Sequence, residues 1–173
     1  MVLQSPLSFH QGFQVDAIFT DFSKAFDKLV HKILLFKMKK LGINQSFVNW
    51  TRSYLRNRVQ FIKFGSKKSK QFIASSGIGQ GTHLGPIFFL IMINDLIAFI
   101  QAKNDLMFAD DNKLYARISN KRDCSHLQES CDSVNEWCKI NELYLNVDKC
   151  EVMTFTRKVS GEIIYPTVSI QKH

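Results

Sequence analysis

The order of apolar and polar residues divides this chain into recognisable elements. Val15 to Phe22 is almost continuously apolar or β-branched, the mark of a buried strand, with Asp16 and Asp21 near its ends. From Val30 the apolar spacing becomes helical (Val30, Ile33, Leu34, Met38, Leu41), and Gly42 before Ile43 fits a helix C-cap. Ser46 is placed to cap a second helix carrying Phe47, Trp50, Tyr54 and Leu55, and the helical spacing of Trp50 and Tyr54 predicts core packing. Val59 to Phe64 and Gln71 to Ala74 read as a strand pair joined by the basic loop Gly65-Ser66-Lys67-Lys68-Ser69-Lys70. After a glycine-rich stretch, Gly77 to Pro86, a long apolar helix runs to about Ile100. A second helix is expected near Asp123 to Ile140, then a strand from Glu151 to Thr156 and one further strand from Ile163 to Ile170. Strand, helix pair, hairpin, helix, hairpin, helix, strand is an α+β order and not strict βαβ alternation.

Between the last two helices, Leu106 and Phe108 on one side and Leu114, Ala116 and Ile118 on the other alternate as two short strands. They meet at Ala109-Asp110-Asp111-Asn112. Asp and Asn are ordinary turn residues, so the hairpin alone has a plain structural explanation. Two adjacent carboxylates between apolar strands also suit a divalent cation, because carboxylates are rarely buried unless paired or metal-bound.

Composition narrows the class. With 173 residues, 45% hydrophobic positions and 15 Phe, the chain is expected to fold as one domain, 1–173, around a substantial core. No repeat or linker breaks it. Twenty-three Lys and Arg against 15 Asp and Glu leave a formal charge of +8, which favours an acidic partner such as a nucleic-acid backbone. Cys124, Cys131 and Cys138 fall seven apart, a helical period that marks one apolar face with Leu127, Val134 and Trp137 and lacks the close pairs of zinc sites. Met1 to Gln14 has no signal-peptide pattern, and the apolar run Ile87 to Ile93 is too short for a membrane span. A soluble protein of an intracellular, reducing compartment is the expectation, nucleus or cytoplasm being left open.

Asp21, Asp110 and Asp111, from two separate strands, form a set that could hold two Mg²⁺ ions, which take hard oxygen ligands and keep places for substrate phosphates. Such pairs, about 4 Å apart, serve in-line phosphoryl displacement. Gly77 to Gly85 fits the same work, since small residues allow backbone and ligand to approach closely, or it only punctuates a strand-to-helix connection. No Gly-Lys-Ser/Thr closes it, so it is not a Walker loop.

Four segments in order resemble reverse transcriptases. Asp16-Ala17-Ile18-Phe19-Thr20-Asp21-Phe22-Ser23-Lys24-Ala25-Phe26-Asp27 is similar to their motif A. Gly77 to Pro86, continuing to Asn94-Asp95-Leu96, is similar to motif B, Phe108-Ala109-Asp110-Asp111 to motif C, and Trp137-Cys138 through Lys149-Cys150 to motif D. Order and spacing resemble non-LTR, jockey-like retrotransposons over about Gly12 to Lys158. The resemblance implies a polymerase palm: an antiparallel sheet packed on helices, with partial fingers and no thumb. It implies RNA-templated transfer of deoxynucleotides from dNTPs to a DNA primer, with two Mg²⁺ (or Mn²⁺) held by Asp21, Asp110 and Asp111, and with Lys149 protonating the leaving pyrophosphate. Phe22, Phe26, Gln80 and Gly81 would meet the incoming nucleotide, Phe26 rejecting a 2′-hydroxyl. Arg56, Arg58, Lys63, Lys67, Lys68 and Lys70 would meet the template–primer backbone.

Three departures stand out: Gly79 where the family commonly has proline, His83 at a position usually small or aliphatic, and Asn112 where threonine often follows the acidic pair. None removes a metal ligand. The beginning of the chain, barely twenty residues before Asp21, predicts that most of the fingers, the thumb and an endonuclease belong to a longer copy. The alternative is therefore a catalytically incompetent retrotransposon remnant that at most binds nucleic acid. A receiver-type phosphoacceptor is the third class, and the late position of the acidic pair argues against it.

Overall fold

The computed structural model describes residues 14–100, 105–108, 111–156 and 163–164. Its elements in chain order are β1 (Gln14–Thr20), α1 (Ala25–Lys28), α2 (His31–Lys40), α3 (Gln45–Leu55), β2 (Arg58–Gln60), β3 (Lys63–Phe64), β4 (Lys67–Lys68), β5 (Phe72–Ala74), α4 (Leu84–Ile93), α5 (Leu96–Ile100), β6 (Asp105–Phe108), β7 (Asp111–Ile118), α6 (Lys121–Asn141) and β8 (Glu151–Thr156). By contacts the chain divides into two compact units. One takes the described residues of 1–23, 95–140 and 144–173; the other takes 24–94 and 141–143.

In the first unit four strands form an antiparallel sheet in the order β6-β7-β1-β8. β1 is central, paired with β7 from Gln14–Ile118 to Thr20–Asn112 and with β8 from Gln14–Thr156 to Phe19–Glu151. Five of its seven residues are buried, on both faces of the strand, which accounts for the near-continuous apolar run that predicts β1. Three polar residues of β1 are buried, Gln14, Asp16 and Thr20, and the Thr20 hydroxyl donates to the Asn112 carbonyl at 3.2 Å. The Gln14 amide donates to both Asp16 carboxylate oxygens at 3.1 and 3.2 Å and accepts from the Ile164 amide at 3.1 Å, so the buried carboxylate is hydrogen-bonded.

The seven-residue period of α6 shows directly in burial: Leu127, Cys131, Val134, Trp137 and Cys138 are all enclosed. The indole of Trp137 donates to Asp95 Oδ1 at 2.9 Å and packs on Phe22 with centroids 6.0 Å apart. Burial pushes the Cys131 thiol up to about 11 and the Cys138 thiol to about 12. The folded chain therefore keeps two protons that the unfolded chain releases above about pH 9. Their stabilisation is complete below pH 9 and is lost as pH rises towards 11 to 12. Urea midpoints should fall between pH 8 and pH 10.5, and a Cys131→Ala/Cys138→Ala variant should show a shallower decline; an equal decline in both proteins would refute this assignment.

In the second unit, α2 packs on α3 and α4 around Leu34, Met38, Val48, Leu55, Phe88, Phe89 and Met92. α2 ends as predicted: Gly42 adopts φ 75°, its amide bonds the Lys39 carbonyl at 3.0 Å, and the Ile43 amide bonds Met38 at 3.1 Å. Buried Lys37 donates to the Met92 carbonyl at 2.6 Å.

Four expectations change. The cap of α3 is Asn44, whose side chain accepts from the Ser46 amide at 2.8 Å, and not Ser46. The inward face of α3 is Val48, Thr51 and Leu55; Trp50 is exposed and stacks on Phe47 and Tyr54, and Tyr54, at the margin, tilts against the buried Phe88. The long apolar helix is two, broken at Asn94–Asp95. The strand pair at 59–74 is two short ladders, β2 with β5 and β3 with β4. The strand expected at 163–170 lies outside the described residues, apart from Ile163 and Ile164. Among described residues, no helix is long and apolar enough to cross a membrane.

Candidate active site

Asp21 directly follows the central strand. The β1–β7 ladder runs to the Thr20–Asn112 pair, so Asp21 and Asp111 are the next residues on neighbouring strands. Asp111 also closes the β6–β7 ladder opposite Phe108. Asp110 lies outside the described residues. The segment after α6 then comes alongside: the Ser23 amide bonds the Tyr144 carbonyl at 2.8 Å, Phe22 bridges to Leu145, and the Asn146 amide bonds the Asp21 carbonyl at 2.7 Å. A 3-10 turn, Val147–Lys149, then carries the Lys149 Nζ to 3.3 Å from Asp21 Oδ2.

The Asp21 carboxylate is 25% exposed and the Lys149 side chain 68% exposed. An ion pair this open contributes little to stability, so its significance is positional. Next to it, burial raises the Cys150 thiol, an effect opposed by a hydrogen bond with the Asp21 backbone and reinforced by the Asp21 charge. Phe22 is buried as a whole, its ring against Trp137 and its backbone bridged to Leu145.

Phe26, Gln80 and Gly81 belong to the second unit. Phe26 is half-buried and stacks on Phe89, with centroids 5.0 Å apart and planes at 22°. Its carbonyl accepts from the Ile78 amide, and the Gly77 amide donates to Leu29, both at 2.8 Å. Gly77 has φ 77°, and a Cβ there would stand 2.6 Å from the Asp27 carbonyl oxygen; only glycine fits. Gln80 donates to Asp27 Oδ1 at 3.0 Å, while Gly81 has φ 74° and open space around it. Gly79 also has a local reason: a Cβ there would meet the Thr82 methyl at 2.8 Å, and Thr82 is held by its hydroxyl on the Gly79 carbonyl at 2.7 Å. A proline ring would crowd that arrangement. His83 is exposed just before α4.

Two residues supporting this loop have no signal in the spacing. A His31 ring nitrogen lies 2.6 Å from the Gly77 carbonyl, and Arg58 Nη2 donates to the same oxygen at 3.1 Å and to Ser76 at 3.3 Å. Arg58, expected at a nucleic-acid backbone, thus turns its guanidinium onto the glycine loop, with Nε and Nη1 enclosed. Arg56, Lys63, Lys67, Lys68 and Lys70 are exposed. Lys63 and Lys68 face each other across the β3–β4 ladder, a like-charge pairing that an anionic partner relieves. Phe64 at the tip is 88% exposed.

Residues 12–169 match the family model described as reverse transcriptase (RNA-dependent DNA polymerase). The chain belongs to the reverse transcriptase family. Among relatives of this reverse transcriptase domain is the RNA-directed DNA polymerase from mobile element jockey of Drosophila melanogaster, 26% identical over 151 residues. That match covers 83% of this chain and 16% of the relative. A second is the Pol polyprotein from the type-2 retrotransposable element R2DM of the same species, 27% identical, covering 82% of this chain and 14% of the relative. The domain thus spans about a sixth of the mobile-element proteins it matches, and the expected kinship with non-LTR retrotransposons holds. Telomerase from Candida tropicalis, solved with a fragment of telomeric RNA, shares the fold: TM-score 0.64 and 16% identity over 96% of this chain and 32% of that one. The α+β palm expectation is met.

Reverse transcriptases generally work with divalent metal ions. Among the described residues no group of three or more His, Cys, Asp or Glu is gathered for one. The donors nonetheless fit. Asp21 offers a partly open carboxylate, a hard oxygen donor at the end of the central strand, and the backbone register of β1 and β7 brings position 111 next to it along the ladder.

Proposed function

We propose that this chain carries the palm chemistry of an RNA-directed DNA polymerase, adding deoxynucleotides from dNTPs to a DNA primer on an RNA template. The observation that carries the reading is the Asp21–Lys149 pair at the end of β1, in register with Asp111, within a reverse transcriptase domain. Asp21, Asp110 and Asp111 are the residues that would hold two Mg²⁺, with Mn²⁺ as substitute. Bound there, such ions supply charge neutralisation for an in-line phosphoryl displacement.

The remaining work falls to the chain itself. The Lys149 ammonium, drawn to Asp21, is available to give a proton from Nζ to the leaving pyrophosphate oxygen. Phe26, fixed by stacking on Phe89, presents a rigid wall that excludes a ribose 2′-hydroxyl. Gln80 and Gly81 offer an amide and an unobstructed backbone to the nucleotide and template base. Arg56, Lys63, Lys67, Lys68 and Lys70 neutralise strand phosphates, while Arg58 acts through the glycine loop that it braces.

Primer extension on an RNA template with Mg²⁺, comparing wild type with Asp110→Asn, tests the reading. Extension by the wild type that is lost in the variant supports it. Equal rates remove Asp110 from its role, and RNA binding without extension by the wild type would return the chain to a binding-only remnant.

A further inference from the structure

Between α2 and α3 lies an open groove of about 480 Å³ that none of the motifs occupies. Its rim carries Lys32 and Lys39 from α2, Arg52 from α3 and Arg56 just after it, all exposed, and among the described residues no acidic one lines it. Arg52 bonds the neutral Asn49 side chain at 3.0 Å, and among the described residues none of the four forms an ion pair. Four positive charges are therefore gathered with no paired counter-charge among the described residues. Leu35 and Leu55 lie beneath them, and the ring of Phe36 is 66% exposed at the same groove.

A single exposed ring needs no explanation by itself, but beside four exposed cations it makes one aromatic and cationic surface of the kind that suits a nucleic-acid strand. We propose that this groove binds single-stranded RNA, the cations meeting backbone phosphates and Phe36 stacking on one unpaired base. The charge complementarity points to a polyanion. The exposed ring then selects a single strand, because bases within a duplex are already stacked and cannot reach it. Arg52 stands in the last turn of α3 and Arg56 follows its end in an extended conformation, so each side chain can meet its own phosphate. The choice of RNA and the phosphate role of Arg56 rest on the polymerase reading above; the placement of Lys32, Lys39, Arg52 and Phe36 does not.

The test is fluorescence anisotropy of a short labelled RNA with the full chain, in buffer free of metal and nucleotide, across a salt series. Arg52→Gln with Arg56→Gln should reduce the slope of log affinity against log salt by about 1.4, two phosphate contacts at roughly 0.7 each. Arg52→Lys with Arg56→Lys should preserve that slope. Phe36→Ala should weaken binding about tenfold and leave the slope unchanged, the signature of a lost stack. The proposal is overturned if the glutamine pair leaves slope and affinity unaltered, or if blunt duplex RNA competes as well as single strand. It also fails if the glutamine pair abolishes self-association or binding of an acidic peptide while RNA binding persists. Asp110→Asn should leave this binding intact, so failure here and failure of the polymerase reading are separate results.

Discussion

Replacing Asp21 with asparagine should lower nucleotide incorporation by about a thousandfold, equal to about 4 kcal/mol of transition-state stabilisation, while barely altering the melting temperature. The two halves of that expectation have different physical origins. Asparagine is nearly isosteric and the Asp21 side chain is partly open, so the exchange leaves no cavity and no deeply buried unpaired group. The ion pair it breaks involves a lysine 68% exposed, an interaction worth at most about 1 kcal/mol. The activity loss is expected to be large because, on the proposed reading, the substitution removes one negative oxygen donor from the three carboxylates that would neutralise charge in phosphoryl transfer. Lys149→Met provides the contrast. It cuts the same ion pair but leaves the carboxylates, so incorporation should fall about a hundredfold, mainly in kcat, the range of a lost proton donor. Single-turnover incorporation alongside thermal melts distinguishes these cases. Loss of both activity and folding in Asp21→Asn would mean that the residue supports structure.

Much of this arrangement is legible in the sequence because local rules act alone there. The Glu151–Thr156 strand, the helix stop at Gly42 and the cysteine face of α6 each follow from a period or a cap that neighbouring residues satisfy. Where two local signals compete, the reading slips. Asn44 and Ser46 are both good caps, and only backbone geometry selects Asn44. Helical spacing makes Trp50 and Tyr54 look like core, yet the same spacing describes any stripe along a helix. Which stripe turns inward is set by tertiary packing, here through Val48, Thr51 and Leu55. Long-range pairings are the least legible. Nothing near Lys149 announces that the 3-10 turn will carry it to Asp21, and only resemblance to a family brings the two together before the fold does. Arg58 illustrates the opposite error: as part of a basic run it suggests phosphate contacts, whereas its guanidinium meets the carbonyls of Ser76 and Gly77.

That bracing makes Gly77→Ala the substitution expected to cost the most stability, about 3 kcal/mol, or a melting temperature lower by about 10 °C in a chain of this size. Two penalties combine. Alanine at φ 77° is strained by roughly 1 kcal/mol or more, and its Cβ would lie 2.6 Å from the Asp27 carbonyl oxygen and 2.9 Å from its carbonyl carbon. The obstacle is backbone and has no rotamer in which to yield. Relief therefore requires separating the two segments, which endangers the Gly77–Leu29 and Ile78–Phe26 hydrogen bonds and the contacts of His31 and Arg58 with the Gly77 carbonyl. Gly81→Ala is the matched control. Its φ of 74° imposes the same conformational strain, but a Cβ there meets nothing within 4 Å, so its cost should stay near 1 kcal/mol. The difference between the two variants, read from urea midpoints at constant slope, isolates the close approach of the glycine loop to Asp27. Equal losses would show that this approach contributes nothing to holding the loop in place.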